Sequence, residues 1–307
     1  MLPGSYSGVM TVQTPVQPWP RQEVSLPNRT LAVRHAESLV ADAPKAVYLH
    51  GLGGSALNWT DLMGLLQGQV DGWAPDLGGF GQSPPPRDGD LTPAGHARAA
   101  AEFITWLGGE PVHLLGNSLG GAVALQLAAH RPDLVRSLTL ISPALPSFRP
   151  TKSNFHLPII AIPGIGERLV PKYIADTDAS TRVKGTIDVC FADPSRMSSV
   201  RRQEAIDEVS SRDHLPYSSD AMLRSLRGLL LTYGDRGPNR PWKLAERVQC
   251  KTLVIYGRKD VMVDSRAAYR VTKHFQDANV LMLPDCGHVA QMEHPEFVAA
   301  AWERFQA

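Results

Sequence analysis

One serine stands where the sequence changes from a strand-like run to a helix-like run. Ser118 is the centre of Gly116-Asn-Ser-Leu-Gly120, with the apolar stretch Pro111–Leu115 before it and the small-residue run Gly121–His130 after it. A sharp turn between a buried strand and a helix exposes the side chain at its corner, and flanking glycines leave room for neighbouring backbone. The pattern therefore predicts that Ser118 is a nucleophile rather than a capping serine in a glycine-rich turn.

A serine hydroxyl is a weak nucleophile at neutral pH, so it needs a base within hydrogen-bonding reach. His288 follows the last strand-like run of the chain, on a loop free to approach Ser118, and it is the expected base. His294 precedes Pro295 and is expected to lie at the start of the closing helix. The sequence therefore favours His288 over His294.

The base in turn needs an acid that orients it. Asp260 lies just beyond the apolar run Thr252–Tyr256 and is the expected acid. Asp264 is the nearest rival, but its position before Ser265 predicts that it caps a helix. An acid at Asp260 gives the chain order serine, acid, histidine.

A negative charge that develops on a substrate oxygen needs hydrogen-bond donors. The backbone N–H of Leu119 opens the helix after Ser118 and is one expected donor. The loop His50–Gly54 follows a buried strand-like run, and the N–H of Leu52 is the expected second donor. Together these two groups are predicted to form an oxyanion hole.

Strand-like and helix-like runs alternate in two blocks, residues 22–145 and 241–307, which predicts a mostly parallel sheet flanked by helices. Residues 146–240 break this alternation and are predicted to form a helical cap or lid, while residues 1–21 are predicted to be a loose extension. Ligands of such sheets bind beyond the carboxyl ends of the strands. The candidate residues all follow strand-like runs, so they are expected along one edge.

Composition narrows the function further. The 307 residues carry 31 Lys and Arg against 30 Asp and Glu, a net charge of +1, and no basic tract that would suggest a nucleic-acid partner. Three well-separated cysteines, Cys190, Cys250 and Cys286, argue against a disulfide framework and a zinc site. Neither a membrane-spanning run nor a secretory signal is evident. We expect a cytoplasmic protein that acts on a small molecule with an apolar acyl group or a ring, without metal or cofactor, and the oligomeric state stays open.

From about residue 22 to its end, the chain resembles the α/β-hydrolase fold superfamily. The shared motifs, in chain order, are His50-Gly-Leu-Gly-Gly54, Asp76-x-x-Gly-x-Gly-x-Ser83, Gly116-Asn-Ser-Leu-Gly-Gly121, Gly257-x-x-Asp260 and Gly287-His288. The resemblance implies that residues 146–240 are the cap that sets substrate choice. It also implies a Ser118–His288–Asp260 triad that cleaves a carboxylic ester, or a related acyl bond, through an acyl-enzyme.

Gly116-Asn-Ser118 and Cys286–Gln291 also resemble hydrolases that cleave carbon–carbon bonds in ring-cleavage dienoates. Those enzymes hold the acidic end of the substrate with a cap arginine, for which Arg201 and Arg202 are the candidates here. They usually carry an aromatic residue after the histidine, where this chain has Val289. A cofactor-free haloperoxidase or perhydrolase and a catalytically weak ligand receptor are further alternatives. The expected substrate contacts are Gly51, Gly53, Asn117, Arg201, Arg202 and Val289.

Overall fold

The computed structural model describes residues 16–147 and 157–307. The first fifteen residues of the predicted extension and residues 148–156 of the predicted cap therefore lie outside the described chain. The part of the extension that is described docks onto the core, because the apolar ring of Trp19 packs there and its Nε1–H donates to the carbonyl of Thr60 over 3.3 Å. At least this part of the extension is therefore not loose.

The described strands form one eight-stranded sheet. They are β1 (Arg21–Leu26), β2 (Arg29–Ala36), β3 (Lys45–Leu49), β4 (Asp71–Pro75), β5 (Val112–Asn117), β6 (Val135–Ile141), β7 (Thr252–Gly257) and β8 (Ala278–Leu283). Their order across the sheet is β1-β2-β4-β3-β5-β6-β7-β8. The pairs β1–β2 and β2–β4 are antiparallel and all others are parallel, which confirms the predicted mostly parallel sheet.

The helices of the described chain lie between and after these strands. They are α1 (Thr60–Leu66), α2 (Pro93–Trp106), α3 (Leu119–His130), α4 (Leu157–Ile160), α5 (Gly166–Asp176), α6 (Ala179–Cys190), α7 (Ser199–Arg212), α8 (Ser218–Gly234), α9 (Pro241–Ala245), α10 (Ala268–His274), α11 (Ala290–Glu293) and α12 (Pro295–Gln306). Thr92 caps α2 by accepting the N–H of Gly95, as the Thr-Pro pair predicts. None of these helices combines the length and the apolar character that crossing a bilayer requires.

The central strands are buried on both faces, which explains why they read as continuous apolar runs. Every residue of β5 and of β7 is buried. Successive residues alternate between the two faces: Leu114 and Val254 join the core cluster under α2, α3 and α9, whereas Leu115 and Ile255 join the cluster under α1 and α12. The sheet is thus sandwiched between two helical layers.

Helices α4 to α8 form one stretch between β6 and β7, which we call the insertion (residues 157–240). A small apolar cluster within it includes Val183, Ile187 and Phe191, and also Val289 from the loop after β8. Because Val289 packs in this cluster, the insertion contacts the edge of the sheet where the parallel strands end.

Candidate active site

Ser118 occupies the corner between β5 and α3, as its flanking runs predict. Its backbone has φ 53° and ψ −115°, a region in which a residue with a side chain is strained by about 1–3 kcal/mol. The strain is held by main-chain hydrogen bonds: the N–H of Ser118 donates to Ile141 O over 3.1 Å, and its carbonyl accepts the N–H of Ala144 over 2.9 Å. The corner is therefore fixed by the end of β6, and the serine is half-buried.

Two glycines around Ser118 allow backbone to approach backbone. A Cβ on Gly116 would lie 2.3 Å from the carbonyl oxygen of Gly120. A Cβ on Gly120 would lie 2.0 Å from the carbonyl oxygen of Leu49. Real Cβ atoms do not approach that closely, so only glycine fits at either position. The flanking glycines thus leave room for neighbouring backbone, as the sequence predicts.

His288 and Asp260 meet beyond the ends of β8 and β7. The Nδ1 of His288 lies 2.9 Å from Oδ2 of Asp260, and the two side chains are 6% and 0% exposed. The other oxygen, Oδ1, accepts the N–H groups of Met262 and Val263 over 2.8 and 2.9 Å. With Nδ1–H donating to Asp260, the Nε2 of His288 is left to accept a proton.

Several effects act on the pKa of Asp260. Burial alone would raise it, but the adjacent His288 and the hydrogen bonds that the carboxylate accepts outweigh burial and hold the pKa below its usual value. Asp260 is therefore ionised at neutral pH. Asp264 instead caps the short helix at Ser265–Ala267 by accepting the N–H of Arg266, which is the role the sequence predicts for it.

Asn117 connects the serine turn to the histidine loop. Its buried Nδ2 donates to the carbonyl of Ile141 over 3.0 Å and to that of His288 over 3.1 Å. Both amide hydrogens are thereby used by backbone. This geometry makes Asn117 a brace between two strand ends, and substrate contact through the same hydrogens would require one of these bonds to break.

The loop after β3 lies against the serine turn. A Cβ on Gly51 would be 3.2 Å from the Cβ of Ser118. His50, fully buried, accepts the N–H of Leu77 at Nε2 over 2.9 Å, so its Nδ1 carries the hydrogen that points to Gly51 O at 2.8 Å. Burial lowers the pKa of His50 to about 4. His50 is therefore a neutral structural histidine that orients the loop.

Asp76, directly after β4, is a second structural residue beside the site. Its buried carboxylate accepts the N–H of Ala56 over 2.7 Å and that of Gln82 over 2.9 Å. Ser83 closes the turn by donating its hydroxyl to Asp76 O over 2.7 Å. The motif from Asp76 to Ser83 is thus a structural turn beside the site.

Leu119 and Leu52 occupy the positions expected of oxyanion donors. Leu119 is the first residue of α3, and N–H groups in the first turn have no acceptor within their own helix. Leu52 belongs to a turn closed by a 3.0 Å hydrogen bond from Gly54 N–H to Gly51 O. Gly53 has φ +75° in this turn and is exposed. Their role as donors to a substrate oxygen stays a prediction.

The two candidate arginines of the insertion differ in their contacts. Arg201 is buried and pairs with Asp61 over 2.8 Å and with Glu204 over 2.6 Å. Because these carboxylates already compensate its charge, Arg201 ties the insertion to α1 rather than offering a free cation to a substrate. Nη2 of Arg202 donates to the carbonyl oxygen of Pro194 over 3.5 Å. Val289, for its part, packs into the apolar cluster of the insertion.

The insertion also contacts the histidine loop through backbone. The N–H of His288 donates to the carbonyl of Cys190 over 2.7 Å. Glu293 bridges the two segments, because its carboxylate accepts the N–H of Gly287 over 2.7 Å and the N–H of Asp193 over 2.8 Å. The position of His288 therefore depends on the chain path between residues 190 and 193.

Three potential metal ligands come together behind this loop. One ligand atom each from Cys286, Glu293 and His294 lies within 4.8 Å of the others, and all three residues are buried. These three residues were not predicted as a group from the sequence. Each carboxylate oxygen of Glu293 already accepts a backbone N–H, and burial raises the pKa of the Cys286 thiol. This trio is better described as a hydrogen-bonded support of the His288 loop.

A residue that the sequence analysis missed is Arg212, at the end of α7. Its Nη1 donates to the carbonyl of Gly53 over 2.8 Å and approaches that of Gly54 at 3.4 Å. No motif or spacing marks this arginine, since its contact joins positions about 160 residues apart. Only the folded arrangement brings it to the loop after β3.

Known proteins resemble this chain in sequence and in fold. A sequence profile described as the alpha/beta hydrolase family matches residues 46–301. The chain is 27% identical over 254 residues to the dihydrolipoyllysine-residue acetyltransferase component of the acetoin cleaving system of Cupriavidus necator, covering 82% of this chain but only 60% of that relative. It is 28% identical over 243 residues to 2-hydroxymuconate semialdehyde hydrolase of Pseudomonas putida, covering 76% of each.

Solved structures show the same fold. Cfl2 of Burkholderia cenocepacia has a TM-score of 0.78 at 20% identity, covering 93% of this chain and 95% of that one. The 2-hydroxy-6-oxo-6-phenylhexa-2,4-dienoate hydrolase of Rhodococcus sp. strain RHA1 has a TM-score of 0.74 at 23% identity, covering 94% and 99%. With the profile match over more than half of its length, the chain belongs to the alpha/beta hydrolase family.

Proposed function

We propose that this hydrolase cleaves a carboxylic ester, or a related acyl bond, of a small molecule through an acyl-enzyme on Ser118. Asp260 orients His288, and the N–H groups of Leu52 and Leu119 stabilise the oxyanion. The insertion, with residues 146–240 as its proposed bounds, acts as the cap over the site. The observation that carries the proposal is the 2.9 Å contact between His288 Nδ1 and the fully buried carboxylate of Asp260, at the same end of the sheet as the strained Ser118 turn.

The proposed reaction has two steps. Nε2 of His288 takes the proton of Ser118 as Oγ attacks the carbonyl carbon, and it then gives that proton to the leaving alcohol as the carbon–oxygen bond breaks. In the second step His288 takes a proton from water, the resulting hydroxide attacks the acyl carbon, and Ser118 leaves with the proton. Asp260 stays ionised and stabilises the imidazolium in both steps, in keeping with its lowered pKa.

The test is an ester panel assayed with wild type and Ser118→Ala. Short p-nitrophenyl esters should be turned over by wild type, and kcat/KM should fall at least about a thousandfold in Ser118→Ala, as removal of a triad member does elsewhere. A fluorophosphonate should label wild type on the peptide that carries Ser118, as located by mass spectrometry. Near-wild-type turnover by Ser118→Ala, or labelling elsewhere, would falsify the assignment.

Hydrolysis of a carbon–carbon bond is the second candidate, because a relative named 2-hydroxymuconate semialdehyde hydrolase is among those matched over most of its length. Two contacts favour the ester instead. The charge of Arg201 is compensated by Asp61 and Glu204. Position 289 carries a valine that packs against the insertion, where the carbon–carbon bond hydrolases usually have an aromatic residue. Adding a ring-cleavage dienoate to the same panel separates the two: faster turnover of the dienoate than of every ester would reverse our preference.

The same panel addresses the remaining alternatives. Bromination that depends on halide, peroxide and acetate, at a rate exceeding ester turnover, would point to a haloperoxidase or perhydrolase. Tight binding of a small molecule without any turnover would point to a receptor. We do not expect a receptor, because an acid that orients the histidine and strain at the serine serve turnover rather than binding alone. The bromination assay decides the haloperoxidase alternative, since that reaction would use the same three residues.

A further inference from the structure

Arg212 contacts the loop that carries the proposed second oxyanion donor. It is the last residue of α7, in the insertion, and its Nη1 lies 2.8 Å from Gly53 O and 3.4 Å from Gly54 O. Both acceptors are backbone carbonyls of the turn Gly51–Gly54. The contact therefore joins the insertion to the turn whatever side chains the turn carries.

The core holds the turn at its first residue, where His50 Nδ1–H donates to Gly51 O over 2.8 Å, and the contacts are fewer at Gly53. The turn contains three glycines, of which Gly53 has φ +75° and no atom within 4 Å of the position of a Cβ. One internal hydrogen bond closes it, from Gly54 N–H to Gly51 O. Glycines lose more conformational freedom on ordering than other residues do, so a contact at Gly53 O and Gly54 O restricts the peptide planes that the His50 hydrogen bond to Gly51 O does not reach.

The charge of Arg212 is directed at this turn rather than at an acid. Among residues 16–147 and 157–307, no carboxylate oxygen lies within 4.0 Å of its guanidinium. Burial lowers the pKa of Arg212, and the more distant charges of Glu208 and Asp76 oppose that effect. A partly buried cation donating to neutral carbonyls makes a stronger hydrogen bond than a neutral donor would.

We propose that Arg212 is a positioning residue. By donating hydrogen bonds to the carbonyls of Gly53 and Gly54, it fixes the turn so that the N–H of Leu52 points at the developing oxyanion. The inference rests on the proposed function. It makes the insertion part of the catalytic geometry, in addition to any role as a cover. The effect belongs to the transition state, in which the oxyanion exists, and not to substrate binding.

Ser211 provides a matched control, since its Oγ accepts the Nε2–H of Gln82 over 2.9 Å. This bond ties the same turn of α7 to the core without touching residues 51–54. Arg212→Gln, Arg212→Lys and Ser211→Ala are compared with wild type for kcat and KM on p-nitrophenyl acetate, for inhibition by phenylboronic acid, and for Tm. The boronate forms a tetrahedral adduct on a serine and so reports on the oxyanion hole.

In Arg212→Gln, kcat should fall about 10–100-fold with KM within about threefold, less than the loss expected when a donor itself is removed. Inhibition by the boronate should weaken in step, Arg212→Lys should recover part of both, and Ser211→Ala should match wild type. Unchanged kcat in Arg212→Gln, a change in KM alone, or an equal loss in Ser211→Ala would each overturn the inference. If Arg212→Gln does not fold, Arg212→Lys with wild-type Tm and wild-type kcat overturns it as well.

The two hypotheses fail in different ways. Wild type that neither turns over the ester nor reacts with a fluorophosphonate defeats the proposed function. Wild type that does both while Arg212→Gln behaves identically defeats the positioning role alone.

Discussion

The Ser118 turn and the His288 loop lie at the ends of nearby strands, but different parts of the chain hold them. The serine turn is held by the sheet itself, through Ile141 O, Ala144 N–H and the close approach of Gly120 to Leu49. The histidine loop is held by the core through the Asn117 hydrogen bond to His288 O, and in addition by the insertion, through Cys190 O and the bridge from Glu293 to Asp193. One half of the site therefore depends on core backbone alone, and the other also on a segment about 100 residues earlier in the chain.

This difference predicts which substitutions should affect each half of the site. Changes in the insertion should alter the histidine loop while leaving the serine turn intact. Changes at the glycines of the turn should weaken the whole fold, because the turn lies on the central strand β5, between the two helical layers.

The largest expected effect concerns Asp260, the acid proposed to orient His288. Under that proposal, Asp260→Asn removes the charge that stabilises the imidazolium and disturbs the tautomer of the ring. We expect kcat/KM for a short ester to fall about 10³–10⁴-fold. Asp264→Asn is the matched control, since Asp264 caps a short helix four residues later and should change activity little. Comparable losses in both variants would show that the histidine half lacks a dedicated acid.

A smaller effect, on stability, is expected in the serine half. Gly120→Ala forces a Cβ to within 2.0 Å of Leu49 O, and it should lower the free energy of unfolding by about 3 kcal/mol or more. Gly185→Ala is the control, because Gly185 lies exposed in α6 with nothing within 4 Å of a Cβ. That variant should gain about 0.5–1 kcal/mol. Urea denaturation measures both, and a tolerated Gly120→Ala would contradict the close backbone approach.

The smallest effect tests the bridge between the insertion and the histidine loop. Glu293→Gln leaves one of two backbone N–H groups, that of Gly287 or Asp193, without its acceptor, which costs about 1–2 kcal/mol. Urea denaturation should show that loss, and ester kinetics should show a severalfold drop in kcat/KM. Glu296→Gln breaks a partly exposed ion pair with Arg196 and should cost less than about 1 kcal/mol. Equal stability and activity in the two variants would remove the insertion from the control of His288.

The sequence predicted the parts of the molecule that local chemistry determines. The strand–turn–helix around Ser118, the strands before Asp260 and His288, and the N-cap at Thr92 follow from periodicity, glycine spacing and proline, and the structure has each of them. Short elements such as α9 and α11 were not predicted, because four or five residues carry too little periodicity to be recognised.

The contacts of the insertion could not be predicted from the sequence, and the reason is physical. Arg201 and Arg202 could be assigned to the right region, but whether an arginine meets a substrate, a carboxylate or a carbonyl depends on residues far away in the chain. Arg201 meets Asp61, and Arg212 meets Gly53. Neither partner lies close enough in sequence to leave a local pattern.

The hydrogen bond from His288 N–H to Cys190 O has a consequence for how such enzymes diverge. A carbonyl is offered by every amino acid, so the side chain at position 190 is free to vary while the course of the backbone there is not. Grafting the insertion of another member of the family onto this core would then retain activity only if the graft reproduces that course. We therefore expect exchange of whole insertions between relatives to be constrained by the backbone course at one peptide group more than by residue identity.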